Sequence, residues 1–200
     1  MAQIIKFYDE KHEYELNGEK IPSVSELCRF ASREIYGDIS QYTLDNAAER
    51  GKKVHKCTEE LDKYGETSAD EVAIPYIRAY LKFLNDHRPT YLAIEKVLAS
   101  PLMKFAGTLD RVAILKTVEG ISIIDIKSSS VVQKVLAKIQ LNGYKKLWEE
   151  TTGDTVSNLF ILHLKNDETY KLVPIEMNPS LFDACYTLHK AMEKKKRSKK

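Results

Sequence analysis

Gly120-Ile-Ser-Ile-Ile-Asp-Ile-Lys-Ser-Ser-Ser130 is the stretch that decides how this chain folds. It is almost wholly apolar up to Asp125, as expected of a strand buried on both faces. Side chains alternate along a strand, so Asp125 and Lys127 share one side of the sheet while Ile124 and Ile126 share the other. A carboxylate and an ammonium within a buried strand are costly unless both have partners. Their presence points to a site that uses them.

The segment before it, Gly107-Thr-Leu-Asp-Arg-Val-Ala-Ile-Leu115, supplies a partner strand. A hairpin centred between Thr117 and Val118 brings Asp110 opposite Asp125. Directly opposed residues have Cβ atoms roughly 4.5–5.5 Å apart. Two carboxylates so close repel each other, and a divalent cation relieves the repulsion; oxygen-rich sites of this kind suit Mg²⁺ or Mn²⁺. The competing reading is a structural ion pair of an Asp with Lys127 or Arg111.

Outward from this hairpin the periodicity gives the rest of the fold. Strands are expected over 91–99, 104–116 and 120–128, then a helix over 131–152 ended near Gly153, and strands over 157–165 and 169–176. Upstream, 3–8 and 12–16 read as strands with Asn17-Gly18 as a turn, giving an N-terminal β-hairpin. Ser23-Val-Ser-Glu26 is a capping box that starts a short helix, and longer helices are expected over 43–64 and from Pro75. Asn178-Pro179 opens a last helix. The order α-β-β-β-α-β defines an α/β (α+β) mixed sheet with flanking helices.

Asp110, followed on the next strand by Asp125-Ile-Lys127, resembles the PD-(D/E)XK nuclease superfamily. Arg50-Gly-Lys-Lys-Val-His55 resembles the Gly-x-x-x-His motif of its RecB-like branch. Glu95 falls where that branch often carries an acid on the first core strand, and Gln140-Leu-Asn-Gly-Tyr144 resembles its Gln-x-x-x-Tyr motif. The N-terminal pattern Tyr8…His12-x-Tyr14…Gly18…Pro22-Ser-Val is similar to small phage-type exonucleases of the superfamily. The resemblance runs over nearly the whole chain. It implies a restriction-endonuclease-like αβββαβ core and Mg²⁺- or Mn²⁺-dependent hydrolysis of DNA from an end, in phage or bacterial recombination, repair or processing. It also implies roles: His55, Asp110, Asp125 and the Ile126 carbonyl as metal ligands, Glu95 acting through a water or a second metal, and Lys127 orienting the attacking water or stabilising transition-state charge. Gln140, Tyr144, Arg50 and Ser128 are the expected substrate contacts. Two alternatives stay open: a catalytically silent DNA-binding or recombination-scaffold module on the same fold, and an endonuclease.

Bulk properties agree with a single domain over 1–193 followed by a basic, disordered tail over 194–200, six of whose seven residues are Lys or Arg. The net charge of +2 leaves the body at 2 − 6 = −4, mildly acidic, as expected if carboxylates are gathered where cations bind. Cys28, Cys57 and Cys185 are scattered and odd in number, which predicts buried thiols and no iron–sulfur cluster. His12, His87, His163 and His189 lack such a motif context and are expected to be structural or exposed. No apolar run approaches the ~20 residues that span a bilayer, and the N-terminus lacks the layout of a secretory signal. A cytoplasmic location is therefore expected, with DNA as partner and no membrane, and with a recombination partner protein or a second copy as further candidates.

Overall fold

The computed structural model describes residues 4–36 and 41–197. Three short strands come first, β1 (Ile5–Tyr8), β2 (Glu13–Leu16) and β3 (Glu19–Ile21). Four helices follow, α1 (Val24–Leu27), α2 (Arg29–Tyr36), α3 (Gln41–Tyr64) and α4 (Ile74–His87). Then come β4 (Thr90–Ser100), β5 (Phe105–Ile114), β6 (Ile121–Lys127), α5 (Lys134–Thr152), β7 (Val156–Leu164), β8 (Tyr170–Pro174) and α6 (Pro179–Arg197).

The main sheet has the order β4-β5-β6-β7-β8, with β6 and β7 parallel and every other pair antiparallel. The αβββαβ core expected from the sequence is α4-β4-β5-β6-α5-β7. The β5–β6 register is also the expected one: Arg111 pairs with Ile124 and Val112 with Ile123. The alternation in β6 holds as well. Ile123 joins Ile161, Leu141, Leu147, Trp148 and Phe182 in the core under α5 and α6. Ile124 and Ile126 join Tyr80, Phe83, Phe160 and Leu162 in the core under α3 and α4. Such two-sided coverage is why the strand reads as a continuous apolar run.

The N-terminal part differs from the expected hairpin. Asn17 and Gly18 both have left-handed φ values, 53° and 82°, and join β2 to β3 in the two-residue turn their chemistry favours. The result is a three-stranded sheet, β1-β2-β3. β3 escapes sequence reading because it is three residues long and stops at Pro22. The Pro22 carbonyl accepts the Ala106 N–H at 2.9 Å, which fastens the small sheet to β5. The Ser23 side chain caps α1 as the capping box requires, accepting the Glu26 N–H at 2.9 Å, but α2, a second short helix, was not foreseen. α5 starts at Lys134 rather than 131, because the adjacent β-branched Val131 and Val132 resist the helical first turn. At the other end, α6 runs through Arg197 and so crosses the boundary expected at 193. Residues 198–200 of the expected tail lie outside the described residues. Among the described residues, no helix is long and apolar enough to cross a membrane.

β5 passes directly beneath α5 at Gly107, where a Cβ would lie 2.8 Å from Tyr144 Cε1 and 3.3 Å from Leu147 Cδ1. Gly107→Ala should overpack this contact at a cost of about 1–3 kcal/mol, lowering Tm by several degrees in thermal denaturation followed by circular dichroism. An unchanged Tm would contradict the close approach.

Candidate active site

The β5–β6 ladder stops at Arg111 and Ile124. One step further, where Asp110 and Asp125 face each other, side chains take over from the backbone. Asp110 Oδ2 accepts the Ile126 N–H at 2.7 Å, and His55 Nε2 donates to the Ile126 carbonyl at 2.9 Å. Both main-chain groups that β6 turns towards β5 at this point are thus satisfied by side chains, as buried backbone must be. The Ile126 carbonyl, expected as a metal ligand in its own right, is in this structure the hydrogen-bond acceptor of another expected ligand.

That bond fixes the His55 ring. With Nε2 donating to a carbonyl, Nδ1 is turned towards the carboxylates, 3.6 Å from Glu95 Oε1 and 3.7 Å from Asp110 Oδ2. Ligand atoms of His55, Glu95 and Asp110 lie within 4.8 Å of one another. On the other side of Asp110, Asp125 is almost fully buried and its Oδ2 lies 2.7 Å from Lys127 Nζ, whose side chain is 35% exposed. Burial pushes the Asp125 carboxyl above its ordinary range and Asp110 adds to that, while Lys127 pulls it back. One imidazole nitrogen beside several carboxylate oxygens is a donor set that fits Mn²⁺ or Mg²⁺.

Glu95 reaches the site through a distorted backbone. A one-residue slip in the β4–β5 register falls between Tyr91 and Ala93, and Glu95 itself has φ 46°, left-handed and strained for a residue with a Cβ. Its carboxylate is held by Arg111 Nη1 at 2.8 Å. Arg111 is 1% exposed and also donates from Nε to Asp62 Oδ2 at 2.5 Å and from Nη2 to Thr58 Oγ1 at 3.2 Å. Tyr80 donates to the same Asp62 oxygen at 2.5 Å, and Tyr91 lies 2.8 Å from Tyr80. Sequence reading treated Arg111 only as a competing partner for an Asp and overlooked Asp62. The signal was there: a cation between Asp110 and the apolar Val112-Ala-Ile-Leu115 run needs a buried anion as surely as Asp125 needs Lys127.

A cleft of about 600 Å³ gathers His55, Glu95, Asp110, Asp125, Ile126 and Lys127 in its wall. Ser128, Gln140 and Tyr144 line it too, with Gln140 donating to the Tyr144 hydroxyl at 2.9 Å. Gly51 borders the cleft one helical turn before His55, and a Cβ there would meet no protein atom. His12, read from the sequence as structural or exposed, also lines the cleft, as does Phe7. Arg50 does not: it lies over the Tyr76 ring, 5.9 Å from its centroid, in a neighbouring depression that shares Ser128 and Ser129 with the cleft. Of the thiols, Cys28 is buried in the core under α5 and α6 and Cys57 in a small cluster between α3 and α4.

A sequence model of the PD-(D/E)XK nuclease superfamily matches residues 38–198, and the chain belongs to that superfamily. Among solved structures it is similar to a provisionally assigned exonuclease from Eubacterium rectale, at 13% identity and TM-score 0.48, over 84% of this chain and 76% of that one. It is also similar to the alkaline exonuclease LHK-Exo from Laribacter hongkongensis, at 11% identity and TM-score 0.41, over 74% of this chain and 80% of that one. The same enzyme in complex with dAMP matches at 13% identity and TM-score 0.37, over 89% and 92% of the two chains. No curated protein matches.

Two stability measurements check the site. Removing Arg111 strands Asp62 and Glu95, so Arg111→Met should cost about 3–5 kcal/mol in urea unfolding; adding Asp62→Leu to it should recover part of that loss. Burial pushes the His55 pKa down, but Asp110 and Glu95 outweigh it and raise it from 6.5 to about 9. A raised folded-state pKa gives stability that is complete below about 6.5 and lost as pH climbs through about 9. In EDTA the urea midpoint should therefore fall over that window, and His55→Gln should flatten the fall.

Proposed function

We propose that this protein is a Mg²⁺- or Mn²⁺-dependent deoxyribonuclease that hydrolyses phosphodiester bonds from a DNA end. The observation that carries the reading is the arrangement at the end of the β5–β6 ladder. Ligand atoms of Asp110, Glu95 and His55 come together in the cleft, and the Asp125–Lys127 pair lines the same wall. A scaffold that only bound DNA would gain nothing from a concentration of carboxylates facing a polyanion.

Asp110, Asp125 and His55 Nδ1 would hold the cation, with Glu95 on the same side. Such a cation, when bound, lowers the pKa of water and neutralises charge on a phosphate. The residues of the chain do the rest. Lys127, half-exposed and tied to Asp125, places a positive charge where a water or a developing phosphorane oxygen would sit. The His55 bond to the Ile126 carbonyl holds Nδ1 towards the carboxylates, so the imidazole serves as a ligand and not as a nucleophile. Arg111 holds the Glu95 carboxylate in position. Tyr144, held by Gln140 above Gly107, closes the floor of the cleft and gives its hydroxyl a fixed position. End-directed cleavage is supported by the likeness of the N-terminal pattern to small exonucleases. A role in bacterial or phage DNA recombination or repair follows from the same likeness.

The test is incubation of the pure protein with end-labelled linear DNA and with covalently closed circles, with and without Mn²⁺ or Mg²⁺. Linear DNA should be degraded only with metal, and circles should persist. Asp125→Ala and Lys127→Ala should each lose at least about a hundred-fold in rate while staying folded. Parental rates in both variants would remove the proposed chemistry, and efficient cutting of circles would make the enzyme an endonuclease.

A further inference from the structure

The depression that holds Arg50 lies outside the catalytic cleft and has the opposite electrostatic character. It encloses about 250 Å³ and is walled by Arg50 from α3, Tyr76 from α4, Ser128–Ser130 from the segment after β6, and Lys165 from the end of β7. Among the described residues, no Asp or Glu lines it. β6 and β7 are the parallel pair of the sheet, and the depression opens at their carboxyl ends, where α/β sheets place ligands.

Arg50 is the telling residue. Its Nε is shut off from solvent and has no hydrogen-bond partner among the described residues. Its guanidinium lies over the Tyr76 ring, so one face is engaged while Nε has no partner among the described residues. A half-buried guanidinium with an unsatisfied donor is costly, and its planar fork matches phosphate oxygens. Nearby, the loop is held in place: His163 Nε2 donates to the Ser129 carbonyl at 2.7 Å and the Ser129 hydroxyl to the Val131 carbonyl at 2.9 Å. Ser128 and Ser129 form the wall shared with the catalytic cleft. A strand whose scissile phosphate sits at Lys127 therefore has its backbone led over Ser128 towards Arg50.

We propose that this depression is a second phosphate site, in which Arg50 and Lys165 grip a phosphodiester of the DNA strand flanking the one that is cut. The inference rests on the DNA-cleavage reading above and adds to it a contact outside the metal site. The carboxylates of the cleft repel a polyanion until a cation is bound. A separate cationic grip seats the strand independently of the metal and sets the register in which linkages reach Lys127.

The experiment measures binding of single-stranded and duplex oligonucleotides by fluorescence anisotropy, in an Asp125→Ala background that prevents turnover. Adding Arg50→Gln should weaken binding about ten-fold at low salt and reduce the slope of log K against log salt by about 1; Lys165→Gln should reduce it by a similar amount. Oligonucleotides carrying one neutral methylphosphonate, walked along the strand, should reveal a position whose neutralisation weakens the Arg50 protein and leaves Arg50→Gln unaffected. If Arg50→Gln does not fold, Lys165→Gln, at the edge of the β7–β8 turn, carries the same scan. Equal slopes and no position silenced by either substitution would overturn the second site while leaving the nuclease reading intact. Absence of DNA binding by the Arg50 protein at any salt, with or without metal, would overturn both.

Discussion

A carboxylate that stands in for a strand governs the geometry of this protein. Antiparallel β5 and β6 would continue pairing past Arg111 and Ile124 if nothing intervened. Instead Asp110 Oδ2 takes the Ile126 N–H that the next backbone pair would have used. The exchange keeps the buried N–H satisfied, so ending the ladder costs little. It also fixes one oxygen of Asp110 at the mouth of the opened sheet. His55 completes the cap from α3 through the Ile126 carbonyl, which turns its other nitrogen to the acids. Thus one device ends the sheet, orients the imidazole and sets the spacing of the carboxylates.

A second layer of charge holds this device in place. Glu95 sits on a left-handed backbone that a Glu does not favour, and such a conformation persists only when surrounding contacts over-determine it. The Arg111–Asp62–Tyr80 network supplies them from the core under α3 and α4. The two sides of β5 therefore divide the work. Arg111 and its partners face the interior of one layer, while Asp110 beside it faces the cleft. A strained acid at the cleft is supported by a buried cation behind it.

Much of this was legible in the chain because strand geometry leaves few choices. The apolar run 120–127 required a central strand, its alternation put Asp125 and Lys127 on one side, and the turn centre set the Asp110 register. The helices announced themselves through Ser23, Pro75, Gly153 and Pro179. What stayed hidden depends on three-dimensional partners that no local pattern encodes. The pairing of Arg111 with Asp62 joins residues 49 positions apart, and the Tyr14–Thr108 bond at 2.9 Å joins residues 94 apart. The bulge that turns Glu95 inward leaves no mark in the periodicity of β4. Arg50 shows the limit from the other side: its motif suggested substrate contact without showing where, and helical phase places it around the edge of α3 from His55, in the neighbouring hollow.

The cleft is assembled from pieces spread along more than two thirds of the chain, from Phe7 and His12 through His55 and Asp110 to Tyr144. Synthesis proceeds from the N-terminus, and domains form once their long-range partners exist. When His55 leaves the ribosome, neither the strand that holds it nor the acids it faces have been made. The small N-terminal sheet must likewise wait for β5, since its anchor is the Ala106 N–H. A nascent chain is therefore without a working centre until α5 has emerged. The centre is complete only once three of the five strands of the main sheet, and the helix that follows them, have been made.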